Sequence, residues 1–122
     1  MTDGTVLVGE DDTKLLQLFE LWLRESYTVR GVATGDDLLD ALETGVVAVV
    51  TDWRLDGTSQ TALLDAIDRA GVDPGIVVTS GVRPDADLDQ YGVDSVLEKP
   101  VDREELLDAV RAAVTAPPTV QG

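Results

Sequence analysis

The stretch Val46-Val47-Ala48-Val49-Val50, running into Thr51-Asp52, decides how the chain folds. Four of its first five residues are β-branched, which favours an extended strand. The apolar run has no polar interruption, so both faces of that strand are covered, as in a parallel sheet. Ile76-Val77-Val78-Thr79 repeats the pattern. Working outward, three more β-type runs appear: Val6-Leu7-Val8, Tyr27 to Val32, and Val93 to Leu97. Helical patterns lie between them. Residues 13–25 carry Leu15, Phe19, Trp22 and Leu23 at helical spacing, residues 36–43 carry Leu38, Leu39 and Leu42, and residues 59–70 carry Leu63, Leu64 and Ile67. Gly71 fits the residue just past the end of that third helix. A fourth helix at 84–91 is acidic and barely amphipathic. The last, 102–115, carries Leu106, Val110 and Val114 and opens on Asp102 and Glu105, the pattern of a capping box.

Strand and helix therefore alternate five times. Short connections between such units require right-handed crossovers, a parallel sheet and helices on both faces. Five strands are too few for an eight-stranded barrel. The expected fold is α/β: a flavodoxin-like, doubly wound (βα)5 sheet of order 2-1-3-4-5. Residues 1–116 are expected to form one domain, with 117–122 (Pro117-Pro118-Thr119-Val120-Gln121-Gly122) as a tail or the start of a linker.

Composition narrows the function. At 122 residues there is room for one core, and 4% aromatic content means it is built from Val, Leu, Ile and Ala. No cysteine means no disulfide or thiolate metal site, and no histidine means no Ser-His-Asp triad, no His-ligated zinc and no phosphohistidine on this chain. No apolar run approaches the roughly 18 residues of a membrane span, and no secretory pattern opens the chain, so a cytoplasmic protein is expected. Nine Lys+Arg against 24 Asp+Glu give a net charge of −15. Such a surface repels a phosphate backbone, so direct nucleic-acid binding by this domain is not expected. An Asp-rich chain with only Lys14 and Lys99 as lysines fits a halophilic source, where salt screens the self-repulsion.

In a sheet of this order, ligands bind beyond the carboxyl ends of the strands where the order reverses, between the first and third. The first strand runs into Glu10-Asp11-Asp12, the third into Asp52, the fourth into Thr79-Ser80 and the fifth into Lys99-Pro100. Taken singly, each has a plain structural reading: Asp12 as a helix N-cap, Thr79 as a β-former with its hydroxyl on the backbone. Together they place three carboxylates, a hydroxyl and an ammonium at one edge. Three close carboxylates need compensation, and Mg²⁺, which favours one or two carboxylates plus waters and phosphate oxygens, supplies it. The set suits phosphoryl transfer, with Asp52 as nucleophile forming an acyl phosphate.

With those residues in order, the sequence resembles the receiver domain of two-component response regulators. Val6-Leu7-Val8-Gly9-Glu10-Asp11-Asp12 looks like its first strand and acidic pair, and Val49-Val50-Thr51-Asp52-Trp53-Arg54-Leu55 like its phosphoacceptor strand. Ile76-Val77-Val78-Thr79-Ser80-Gly81 is similar to the switch-hydroxyl strand, and Val96-Leu97-Glu98-Lys99-Pro100 to the Lys-Pro segment. The likeness spans residues 4–115, and with its acidity is similar to haloarchaeal receivers. It implies that Glu10, Asp11, Asp52 and the backbone carbonyl of Arg54 hold Mg²⁺. It implies that Asp52 accepts a phosphoryl group from a sensor histidine kinase, that Thr79 bonds the phosphoryl oxygens and moves, and that Lys99 pairs with the phosphate. The Lys99–Pro100 bond is commonly cis in this family. The domain would catalyse its own phosphotransfer and dephosphorylation without being an enzyme in the usual sense. An output protein or a second copy would dock on the 84–115 face.

Some positions depart from the family pattern. Asp56 stands in place of a usual Pro, Gln60 in place of a Gly, and Val96 in place of an aromatic switch residue. Val96 has no ring to swing inward, so output is expected to run through Thr79 and the loop at 80–84. Arg54 and Gly81 occupy positions where receivers tune phosphoryl lifetime. Three other readings compete. A haloacid-dehalogenase-type phosphatase needs an acid two residues after the nucleophile, where this chain has Arg54. A flavodoxin-like FMN carrier needs hydroxyls and amides after the first strand, where this chain has acids. A degenerate receiver would act as a docking module without phosphorylation.

Overall fold

The computed structural model describes residues 4–43, 45–55, 60–81 and 92–115. Its strands are β1 (Thr5–Gly9), β2 (Thr28–Val32), β3 (Val46–Asp52), β4 (Gly75–Ser80) and β5 (Ser95–Glu98). They form one sheet of order β2-β1-β3-β4-β5, every neighbouring pair parallel. The helices among the described residues are α1 (Thr13–Leu23), α2 (Gly35–Ala41), α3 (Gln60–Arg69) and α4 (Arg103–Thr115). The helix expected at 84–91, Asp56 and the tail at 117–122 lie outside the described residues.

The apolar strands divide their side chains between two cores, as the two-residue period of a strand requires. Leu7, Val49, Ile76 and Val78 pack with Leu38 of α2 and Leu63, Leu64 and Ile67 of α3. Val6, Val8, Ala48, Val50 and Val77 pack with Phe19 and Leu23 of α1 and Leu106, Ala109, Val110 and Ala113 of α4. Hence the middles of β1, β3 and β4 are apolar on both faces, and polar residues enter β3 and β4 at their carboxyl ends. Gly75 at the start of β4 permits a close crossing: a Cβ there would lie 2.6 Å from Ala113 Cβ and 2.7 Å from its carbonyl oxygen.

Local chemistry sets the ends of the elements. Asp12 caps α1, its side chain accepting from Lys14 N (3.0 Å) and Leu15 N (3.2 Å). Capped by Thr34, α2 starts at Gly35, one residue ahead of the expected start, and extended backbone at Leu42 ends that helix early. Asp102 and Glu105 form a reciprocal box at α4 (2.8 and 3.2 Å). Gly71 has φ +79°, the left-handed conformation expected just after α3. β5 starts at Ser95 rather than Val93 because Asp94 ties off the strand entry. Its N–H donates to Ile76 O and its carboxylate accepts from Ile76 N, both at 2.8 Å.

Candidate functional site

The register places the site. Asp52, the last residue of β3, lies opposite Thr79 on β4, and Gly9, just before Glu10, lies opposite Thr51. Acids far apart in sequence thus meet at the carboxyl edge. One carboxylate oxygen each from Glu10, Asp11 and Asp52 lies within 4.8 Å of the others. Lys99 follows β5, its N–H donating to Ser80 O at 2.8 Å, and the Lys99–Pro100 bond is cis.

Lys99 reaches across the sheet edge. Its ammonium donates to Glu10 Oε1 and to Asp52 Oδ2, each at 3.0 Å. The second oxygen of each carboxylate also has a partner: Glu10 Oε2 accepts from Asp12 N (3.1 Å), and Asp52 Oδ1 from Arg54 N (3.1 Å). Glu10 is 1% exposed and Asp52 9%, whereas Asp11 is exposed. Burial pushes the Glu10 carboxyl above its ordinary value, outweighing the bonds from Lys99 and Asp12 N–H, and the charge of Asp52 pushes the same way. For Lys99, burial works against the charged form, but its bonds to Glu10 and Asp52 together with their charges prevail, and it is held above its ordinary value.

The donor set fits a hard divalent cation. Three carboxylates and one ammonium leave two negative charges, and carboxylate oxygens are the ligands Mg²⁺ selects. The Thr79 hydroxyl adds a second mark of a ligand site: it is buried, 1% exposed at its residue, and has no hydrogen-bond partner among the described residues. Buried hydroxyls are ordinarily paired, and none of the described residues supplies this one with a partner. Arg54 is exposed, and its N–H rather than its side chain enters the site. Val96 is 41% exposed and points away from the core.

Two anchors of the site escape a reading based on polar motifs. Trp53 and Leu55, on either side of exposed Arg54, are 9% and 4% exposed and enter the core under α2 and α3. With Trp53 N donating to Thr79 O at 2.7 Å, they pin the chain that follows Asp52. The legible signal was the alternation itself, apolar residues flanking a charged one just past a strand. Gly9 is the other anchor: a Cβ there would lie 2.9 Å from both Leu38 Cδ1 and Leu55 Cδ2.

The family model described as the response regulator receiver domain matches residues 6–111. A Haloferax volcanii protein described as a transcriptional regulator is 30% identical over 109 residues, covering 88% of this chain and 19% of its own length. The Escherichia coli transcriptional regulatory protein GlrR is 36% identical over 123 residues, 93% of this chain and 27% of its own length. The chain therefore spans less than a third of the length of these relatives. Among solved structures, the CheY-like receiver domain from Methylobacillus flagellatus superposes with a TM-score of 0.80 at 27% identity, covering 90% of this chain and 98% of that one. The matched span covers most of the chain and takes in Glu10, Asp11, the end of β3, Thr79 and Lys99, and on that ground the chain belongs to the response regulator receiver domain family.

Proposed function

We propose that this domain receives a phosphoryl group on Asp52 from the phosphohistidine of a sensor histidine kinase, in a reaction that requires Mg²⁺. The observation that carries the reading is the meeting of Glu10, Asp11 and Asp52 with Lys99 beside the unpartnered Thr79 hydroxyl. A carboxylate oxygen of Asp52 attacks phosphorus, the P–N bond breaks, and the imidazole leaves with its electron pair. Glu10, Asp11, Asp52 and the Arg54 carbonyl are the proposed Mg²⁺ ligands, and the bound ion neutralises charge on the phosphoryl oxygens. Lys99 pairs with the transferred phosphoryl group, and the Thr79 hydroxyl donates to one of its oxygens. Those contacts exist only after transfer, so they supply the differential energy that shifts the domain between two states.

Residues 1–116 are the proposed receiver unit and 117–122 the tail or linker start. Because the matched relatives are regulators several times longer, an output domain or protein, or a second copy, is the proposed recipient of the signal through the 84–115 face. No direct contact with nucleic acid is assigned to a domain of net charge −15. No helix among the described residues is long and apolar enough to cross a membrane. A cytoplasmic location is part of the proposal.

Intact mass after incubation with acetyl phosphate and Mg²⁺ at high salt tests the reading. The wild type gains one phosphoryl group, and Asp52→Asn gains none. Equal uptake by both proteins, or none by the wild type, overturns it.

A further inference from the structure

We propose that Lys99 and the divalent cation compete for the same carboxylates, so that the lysine sets the site's cation affinity and clamps the site shut while the cation is absent. The inference rests on the reading of Glu10, Asp11 and Asp52 as the cation ligands and concerns how that site is regulated. Lys99 Nζ donates to Glu10 Oε1 and Asp52 Oδ2 at the same 3.0 Å. Its ammonium therefore already does what a cation would do, bridging the first-strand acid to the third-strand acid. Counting the two backbone donors, all four oxygens of Glu10 and Asp52 have a partner within the chain. The oxygen of Asp52 that is free of the backbone is the one Lys99 holds.

This arrangement has opposite consequences in the two conditions. Without a divalent cation, Lys99 relieves the repulsion of two buried carboxylates, and its removal leaves them facing one another uncompensated. With a cation, a fixed positive charge beside a doubly charged ion opposes binding through a partly desolvated medium. Exposed Asp11 takes no part in the lysine bridge. It is the acid open to an incoming cation, and loading then requires Lys99 to give up its share of Glu10 and Asp52.

Mg²⁺ titrations of wild type and Lys99→Met, followed by isothermal calorimetry and by the fluorescence of Trp53 next to Asp52, test this at high salt. Lys99→Met is expected to bind Mg²⁺ about tenfold tighter or more. In EDTA it is expected to melt below the wild type, and saturating Mg²⁺ should raise its melting temperature by more than it raises that of the wild type. Equal or weaker Mg²⁺ binding by the variant overturns the competition while leaving the site assignment standing. Absence of Mg²⁺ binding by the wild type overturns the site assignment itself. A measurement on the wild type alone guards against failure of the variant to fold. The ¹⁵N resonance of the Lys99 ammonium should shift on Mg²⁺ saturation as its bridge opens, and an unmoved resonance at saturation overturns the proposal.

Discussion

Thr79 and Glu10 are buried polar residues that the fold holds at a cost. The Thr79 hydroxyl is buried without a partner among the described residues, and an unsatisfied buried hydroxyl costs about 1–3 kcal/mol. Thr79→Val keeps the shape and removes the orphan, so it should raise the unfolding free energy of the unphosphorylated protein by about 1 kcal/mol in urea titrations. The same change should shorten the lifetime of the acyl phosphate, measured by loss of the added mass. Glu10 carries the complementary penalty. Burial holds its carboxyl above the ordinary 4.5, so the protonated form is favoured more in the folded protein than in the unfolded chain. The stability associated with that form is fully present below pH 4.5 and is lost as pH rises through the folded value. In EDTA, Glu10→Gln should therefore be more stable than the wild type at pH 7, and the gap should close as pH falls below 4.5. A constant gap across that range would contradict the assignment of the penalty to the ionised carboxyl. The lysine works at the other end of the scale: its raised value means its contribution fades only on the alkaline side, above 10.5. The sequence named every one of these residues, because strand ends in a parallel sheet collect at one edge. It did not show that one lysine spans two acids, since side-chain reach across three strands depends on register and burial.

At the scale of the element, position followed from pattern and boundaries followed from single side chains. The apolar runs of β3 and β4 were readable because each strand feeds two cores, and so every position on it is constrained. The start of β5 was not, because Asp94 replaces ladder bonds with its own carboxylate, a substitution no periodicity signals. α1 shows how a cap can also serve a site. The Asp12 side chain holds the first turn, while its backbone N–H holds Glu10 Oε2. Asp12→Ala should cost about 1 kcal/mol in urea unfolding, the usual worth of a cap, and leave the Asp12 N–H bond to Glu10 in place. Mg²⁺ affinity should then stay within about twofold of wild type. Gly75→Ala tests the β4–α4 crossing. Its new Cβ meets the backbone of Ala113, which cannot turn aside as a side-chain tip can, so a loss of about 1–3 kcal/mol is expected. The same substitution at exposed Gly81, where a Cβ would meet nothing within 4 Å among the described residues, is the matched control.

For the whole molecule the governing quantity is charge. A net −15 on 122 residues opposes compaction at long range, and that opposition weakens as the screening length falls from about 10 Å at 0.1 M salt to about 3 Å at 1 M. The melting temperature should therefore climb steeply between 0.1 and 2 M KCl. General salting-out would also raise it, so the charge itself has to be varied. Asp40, near the end of α2, and Asp68, near the end of α3, are exposed, and neither belongs to the site. Replacing both by lysine changes the net charge by four, from −15 to −11, and puts cations where the helix ends favour them. Asp40→Lys/Asp68→Lys should gain about 1 kcal/mol over the wild type at 0.1 M KCl, and less at 2 M, where the repulsion is already screened. Its salt dependence should be correspondingly flatter. If both proteins climb in parallel, water structure and salting-out account for the effect, and the acidic surface has a different purpose. The site responds to the same field: an anionic surface concentrates divalent cations near Asp11 at low salt and does so less at high salt. Raising KCl should therefore weaken Mg²⁺ binding even as it stabilises the fold, and calorimetry on the two proteins at two salt concentrations separates the contributions. A surface effect weakens with the added lysines. At 2 M KCl, where the surface contribution is screened, the two proteins should bind Mg²⁺ with equal affinity, since Asp40 and Asp68 lie apart from the proposed site.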